Sequence, residues 1–332
     1  MSLKNEIDIV VLWVDDKDPQ WQKKKAEYTG VMPVEGGEAA RYRDWDTLKY
    51  WFRGVEKFAP WVRNVYFVTD NQKPCWLNLE HPKLKWVKHT DFIPQEYLPL
   101  FNVNPIELNL HRIEGLSENF VYFNDDVFLI NDTTEEDFFA DDLPCDSVMF
   151  EPVIPKGFFN YTVFNNCQLI NRHFSPKEVV KKHGSKFFKA LPLSAMFKNL
   201  LYGRKPYFYG IRDYHISSSH KKSTLATLWE KEYDTLHSVC QHRIRTKEDI
   251  NIWTARYWNL LSGNFYPKKP VGKLFHTETL SYSDEAVDYL KNQKGKVVCL
   301  NDTENENDFE LHKKMIIDAF ETILPEKSSY EV

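Results

Sequence analysis

The sequence predicts an α/β protein built on a mostly parallel sheet with helices on both faces. Three observations predict the sheet. Apolar, β-branched runs recur at residues 7–14, 62–69 and 119–123, each run ends in an acidic or amide cluster, and stretches of helical apolar spacing separate them. In such sheets ligands bind where the strands end at their carboxyl termini.

Taken in order, IDIVVLWV (7–14) is the continuous apolar run of a central strand buried on both faces, and Asp15, Asp16, Lys17, Asp18 and Pro19 form the loop after it. Residues 23–37 read as a short helix running into a mobile, Gly-containing segment. Leu48, Trp51, Phe52, Val55 and Phe58 share one face of a helix over 46–58, capped by Asp44 or Asp46. VRNVYFVT (62–69) is the second strand, ending at Asp70, Asn71 and Gln72, and 84–87 the third. Asn104 then suits an N-cap, Pro105 a first helical turn, Glu107 the third position of a capping box, and Gly115 the stop. NFVYF (119–123) is the next strand and ends in Asn124, Asp125 and Asp126, so three polar clusters converge on one sheet edge.

The second half is more irregular. A strand-poor stretch over 150–171 precedes helices near 177–183, 223–239 and 247–261. Thr246 and Asp249 form a capping box for the last of these, and Gly263 stops it. KVVCL (296–300) is a strand, followed by a final helix that uses Phe309, Met315, Ile316, Ala319, Phe320 and Ile323. The expected division is an α/β core over 1–145, a helix-rich half over 146–326 that completes the site, and a frayed tail over 327–332.

Composition narrows the function. A net charge of −5 argues against a nucleic-acid binder. The 10 Trp, 17 Tyr and 23 Phe suit a protein that handles sugar faces, although most rings belong to the core. Five scattered Cys show neither CxxC nor zinc spacing and read as reduced thiols. The apolar run at the start is too short for a signal peptide, and no run has the roughly 18 apolar residues of a membrane span. A cytoplasmic enzyme is expected. GxGxxG, P-loop, GxSxG and HExxH signatures are absent, and dehydrogenase, P-loop kinase and serine-hydrolase readings lose their main support.

Four groups of residues are candidates for chemistry. Asp125 and Asp126 beside Asn124, just past a buried strand, suit a Mg²⁺ or Mn²⁺ that bridges phosphates; equally, Asn and Asp are ordinary turn residues. Glu107 and His111, four apart on the expected helix with Arg112 adjacent, are either a metal or hydroxyl ligand and a phosphate contact, or a cap and a packed histidine. Asp8 inside the first strand needs a partner, whether a ligand, a main-chain amide or a buried Arg. His215, Arg243 and Arg245 are either a phosphate-binding and acid–base set or surface residues.

These residues fall into blocks that resemble the Stealth family of polysaccharide phosphotransferases. Residues 7–14 are similar to the family's I-D-x-V-x-x-W-V opening, which includes Asp8 and Trp13. The longest block runs from Arg41 to Val127 and contains APWVRN (59–64) and HRIEGLS (111–117). His215 is followed by HRIRTKED (242–249) in the family's H-x-x-R-x-x-E-D pattern, and CLND (299–302) closes the series. Val103 and Asn104 depart from the family, as does Ile216-Ser217 after His215.

The resemblance implies a glycosyltransferase-A-like fold, and attack of a glycan hydroxyl on the sugar-bearing β-phosphorus of a nucleotide-sugar donor, with release of a nucleoside monophosphate. It places Asp125 and Asp126 on metal or donor, with Asn124 and Trp13 among the donor contacts, and puts Asp8 in the donor pocket. His111, Arg112 and Arg243 would serve substrate phosphates, while Glu107, His215 and Arg245 would flank the reacting phosphate. His215 is the first choice for general base and Glu107 the second. The acceptor is an oligosaccharide or lipid-linked glycan, the latter with peripheral docking at the inner membrane face. The alternative is a metal-dependent glycosyltransferase of the same fold that releases a nucleoside diphosphate.

Overall fold

A computed structural model describes residues 6–29, 44–276, 280–302 and 309–332. The Gly-containing stretch expected to be mobile lies outside the described residues. The strands are β1 (Ile7–Leu12), β2 (Val65–Thr69), β3 (Leu84–Lys88), β4 (Asn119–Phe123), β5 (Val127–Leu129), β6 (Phe139–Ala140), β7 (Leu143–Asp146), β8 (Ser218–Lys221), β9 (Tyr266–Pro267), β10 (Gly272–His276) and β11 (Val297–Asn301). The main sheet has the order β3-β2-β1-β4-β8, parallel except for β8 at its edge. A second sheet, β10-β11-β5, and a third, β6-β7-β9, flank it. The expected mixed α/β architecture is present.

The run IDIVVL is buried along nearly its whole length because β1 sits between β2 and β4 and both of its faces are covered. Ile9, Val11, Val65, Phe67, Val121 and Phe123 point to one core, shared with helix Leu48–Phe58, the second sheet and helix Phe309–Ile323. Val10, Tyr66, Val68, Phe120 and Tyr122 point to the other, shared with residues 92–116 and 148–265. The period-two alternation of a strand therefore assigns each later part of the chain to one side of a single sheet. Gly54 lets helix Leu48–Phe58 lie against β5, since a Cβ there would stand 2.7 Å from the Leu129 carbonyl oxygen.

No boundary falls at residue 145. Strand β8 extends the first sheet, and β11 pairs with β5. The tail is not frayed either. Tyr330 is 3% exposed, Arg53 donates from Nε and Nη2 to Glu331, and Leu77 bridges Glu331.

Several helix ends differ from expectation. The first helix starts earlier, as Pro19–Thr29. Thr47, rather than Asp44 or Asp46, precedes Leu48–Phe58; Asp46 adopts φ 55° and its amide donates to Asp44 Oδ1. The 223–239 helix is two, Lys222–Lys231 and Tyr233–Cys240. Glu232 leaves helical geometry between them and receives His173, Arg172 and Thr235 on its carboxylate. The strand-poor stretch holds helix Phe158–Ile170, and a helix not expected from the sequence runs over Leu193–Tyr202. The last helix of the middle region starts at Trp253, later than 247. Gly263, at φ 75°, ends it as expected.

Candidate active site

The acidic pair occupies the three-residue turn that carries the chain from β4 in the first sheet to β5 in the second. Val127 donates to the Asn124 carbonyl and Leu300 to that of Asp126, at 3.2 and 2.9 Å, so strands hold the turn on both sides. The carboxyl ends of β1 and β2 supply Asp15, Asp16 and Asp70 beside it, as the strand-end clusters predicted. All face one cleft of about 1310 Å³, also lined by Trp13, Glu107, Asn124, Asp125, Asp126, His215 and Arg245. That exceeds the roughly 300–1,000 Å³ of a pocket for one small ligand and leaves room for two ligands together. His215 and Arg245, though far along the chain, open onto the same cleft as Asp125.

Electrostatics dominate this space. Among the described residues, ten Asp and Glu side chains line the cleft against three Lys and Arg, namely Lys156, Arg212 and Arg245. Desolvation pushes the Asp126 carboxyl up, and its Oδ1 is buried without a hydrogen-bond partner. Asp125 presents surface to the cleft yet stands deep in its wall, where desolvation and then Asp126 push its carboxyl up as well. Asp126, His215 and Cys299 offer ligand atoms within 4.8 Å of one another.

Donor chemistry separates these three. Burial holds the Cys299 thiol well above its ordinary range, so it stays protonated and donates to Asp126 Oδ2 at 3.5 Å. Oxygen and imidazole donors remain, and an orphaned buried carboxylate oxygen beside a second acid fits a divalent cation.

Glu107 lies on helix Val103–Leu108, whose N-cap is Asn102 rather than Asn104. Its Oε2 accepts from the Ile252 amide at 3.1 Å and its Oε1 bonds the Tyr122 hydroxyl at 2.9 Å. Burial raises its carboxyl to about 7 against these hydrogen bonds and the Arg245 charge, which favour the anion. The helix ends at Leu108, so Glu107 and His111 do not share a helical face as their spacing suggested.

Asp249 anchors the base of this helix. It receives Asn102 and Asn104 side chains at 2.8 and 2.9 Å, with Thr246 and His242 completing its shell. The Thr246–Asp249 pairing predicted as a cap thus exists, but it closes a turn that fastens the Arg245 loop to the Glu107 helix. The unusual Asn104 is part of that fastening.

His215 sits at φ 47°, a conformation uncommon outside glycine, and its amide donates to Asp213 Oδ1 at 3.0 Å. Arg256 holds Asp213 in turn, bonding it at 3.2 Å and Asp146 through Nε and Nη2. The His215 ring stands edge-on to Trp253 and Phe159. Asp213, Trp253 and the thiol of Cys299 were not singled out from the sequence. The D-Y-H spacing at 213–215 and the cysteine's place in CLND were the available signals.

Four expected site residues lie elsewhere. Asp8 does not line the cleft: its carboxylate takes Nε and Nη2 of the half-buried Arg63 and the amides of Asn64 and Ser117, so its partners are an Arg and main-chain amides rather than a ligand. His111 packs near Trp229, and burial pushes its imidazole down to about 4. Arg112 lies 4.8 Å over the Trp229 ring and donates to Asn109. Arg243 braces the Glu96 and Leu98 carbonyls. Each performs a packing task that spacing along the chain cannot reveal.

Residues 41–146 match the family model described as Stealth protein CR2, conserved region 2. The capsular polysaccharide phosphotransferase WcwK of Streptococcus pneumoniae is 40% identical over 335 residues, covering 100% of this chain and 99% of that protein. The receptor polysaccharide phosphotransferase WefC of Streptococcus oralis is 41% identical, covering 99% and 100%. The exopolysaccharide phosphotransferase cps2G of Lactiplantibacillus plantarum is 36% identical, covering 98% and 96%. Among solved structures, the apo WbbM bifunctional glycosyltransferase aligns over 96% of this chain and 50% of its own at 9% identity and a TM-score of 0.39, too slight a likeness to define fold family or activity.

End-to-end identity of this order makes the protein a phosphotransferase enzyme. The motif order found in its sequence and the conserved region agree on the rest: the chain belongs to the Stealth family. Among the described residues, no helix is long and apolar enough to cross a membrane.

Proposed function

We propose that the enzyme transfers a sugar-1-phosphate from a nucleotide-diphosphate sugar, a UDP-hexose or UDP-N-acetylhexosamine, to a hydroxyl of a glycan acceptor. The product is a phosphodiester within a capsular or exopolysaccharide, and a nucleoside monophosphate is released. The naming of the relatives supports the polysaccharide acceptor. The observation that carries the reading is the charge of the cleft. With ten Asp and Glu against three Lys and Arg among the described residues that line it, the cleft repels a diphosphate unless a cation intervenes, and Asp126 keeps an unpartnered oxygen there.

Asp125 and Asp126 would hold Mg²⁺ or Mn²⁺, which when bound neutralises charge on the donor diphosphate. Arg245 offsets charge on the transferred phosphoryl oxygens. In-line displacement forms the bond from acceptor oxygen to β-phosphorus and breaks the one from β-phosphorus to the bridging oxygen, which leaves on the monophosphate. His215 takes the proton of the acceptor hydroxyl. Asp213 fixes its backbone, and the rings of Trp253 and Phe159 limit its rotation. Glu107, with both oxygens engaged by the protein, supports the Arg245 side of the cleft rather than taking that proton.

The test is incubation with a panel of nucleotide sugars, an oligosaccharide acceptor and Mg²⁺ or Mn²⁺, with chromatographic identification of the nucleotide released. UMP or CMP formed together with a phosphodiester is the expected result. Release of UDP would replace this reading with ordinary glycosyl transfer.

A further inference from the structure

Helix Leu193–Tyr202 is amphipathic in the reverse of the usual sense. It turns Ala195 and Asn199 inward, and the Asn199 side chain bonds the Phe187 and Val148 carbonyls and the Phe150 amide. Outward it presents Leu193, 84% exposed, Phe197, 66% exposed, and half-exposed Leu200 and Leu201. These recur at i, i+4, i+7 and i+8, so they form one stripe. Tyr207 and Tyr209 extend the apolar surface just beyond the helix. A soluble surface gains nothing from such a stripe, which marks a binding face.

Charge identifies what the face fits. Residues 172–212 contain ten Lys and Arg and one carboxylate, Glu178, within a chain whose net charge is −5. Exposed Lys189, Arg204 and Lys205 bracket the stripe directly. Leucine and phenylalanine between cations, with tyrosines at the margin, match the interface of an anionic bilayer, where apolar groups enter the acyl boundary and cations meet phosphates. A protein partner of matching acidity would not call for Leu193 and Phe197 to stand so far into solvent.

We propose that helix Leu193–Tyr202, with Tyr207 and Tyr209, is a docking surface for the anionic face of a phospholipid bilayer. Docking there sets the cleft rim beside the membrane. The strand-like segment after Phe150 connects the two: Lys198 bonds Glu151 and the Val153 amide bonds the Tyr209 carbonyl, while Glu151, Val153 and exposed Ile154 line the cleft. An acceptor held in the bilayer would then reach the cleft without leaving it. Binding of the bare bilayer does not depend on which phosphoryl transfer the cleft performs.

The full chain is sedimented with vesicles of phosphatidylcholine alone and of phosphatidylcholine mixed with phosphatidylglycerol. Binding to the mixed vesicles only, reduced by salt, is expected. Phe197→Glu with Leu200→Glu should abolish it, and Lys189→Gln with Lys205→Gln should weaken it about 25-fold, roughly fivefold for each cation near the surface. The second pair keeps the apolar stripe intact, and melting curves establish that each variant folds. Equal binding by wild type and both variants, or no binding by wild type, overturns the proposal. So does a lipid-free dimer that Phe197→Glu converts to a monomer without any vesicle binding, since the face would then be an interface between copies.

Discussion

Replacing Glu107 with Gln tests the electrostatics of the cleft through stability alone. The Tyr122 hydroxyl lies 2.9 Å from Glu107 Oε1 and 2.7 Å from Asn124 Oδ1, but a single phenolic proton serves only one of these acceptors. A proton on Glu107 completes the set, donating to Tyr122 while Tyr122 donates to Asn124 and Ile252 donates to Glu107 Oε2. Burial supplies the driving force, lifting the carboxyl from 4.5 to about 7. A Gln at this position reproduces the protonated arrangement, with its amide nitrogen on Tyr122 and its oxygen on Ile252.

The folded state thus binds more protons than the unfolded chain between pH 4.5 and about 7. This contribution to stability is complete below the unfolded pKa and is lost as pH rises through the folded one. At 1.36 kcal/mol per pKa unit, the loss is on the order of 3 kcal/mol by the time Glu107 is fully ionised. Urea unfolding of wild type and Glu107→Gln across pH 4 to about 9 isolates the term, because other titrations cancel in the difference. The curves should nearly coincide near the acid end and diverge in favour of Gln above neutrality. Parallel curves, or Gln the less stable at high pH, would refute a desolvated, proton-sharing Glu107.

Asp126→Ala should lower turnover about 10³-fold or more with folding intact, as expected for losing a cation ligand, measured as nucleotide release at saturating metal. His215→Ala should lower kcat by about 10²- to 10³-fold, with donor affinity by calorimetry little changed, because the ring acts on the acceptor proton. Asp8→Ala leaves the Asn64 and Ser117 amides without their buried acceptor and should cost about 1–3 kcal/mol in denaturant unfolding, while the folded fraction keeps its donor affinity. Tyr330→Ala removes a ring packed on Phe52 and His81 near the C-terminus and should cost about 3–5 kcal/mol, whereas a frayed tail would tolerate it.

The sheet was legible in the letters alone, because a strand buried on both faces must be written as an unbroken apolar run, as in IDIVVL, and a parallel sheet must present its polar loops at one edge. So, for the same reason, was the acidic turn after NFVYF, and so was the block order that marks the family. Helix ends were less legible, since Glu232 and Asn102 act through partners distant in the chain.

Which charged residues serve the cleft depends on contacts made across the fold. Asp8 and Asp126 are both acids beside buried strands, but Arg63 meets the first, while the second keeps an oxygen with no partner. His111 and His215 are likewise indistinguishable as letters; one is wedged near Trp229 and the other is held over the cleft by Asp213. Spacing along a chain reports the face of an element, whereas function depends on what the neighbouring element, folded in from a hundred residues away, leaves uncompensated.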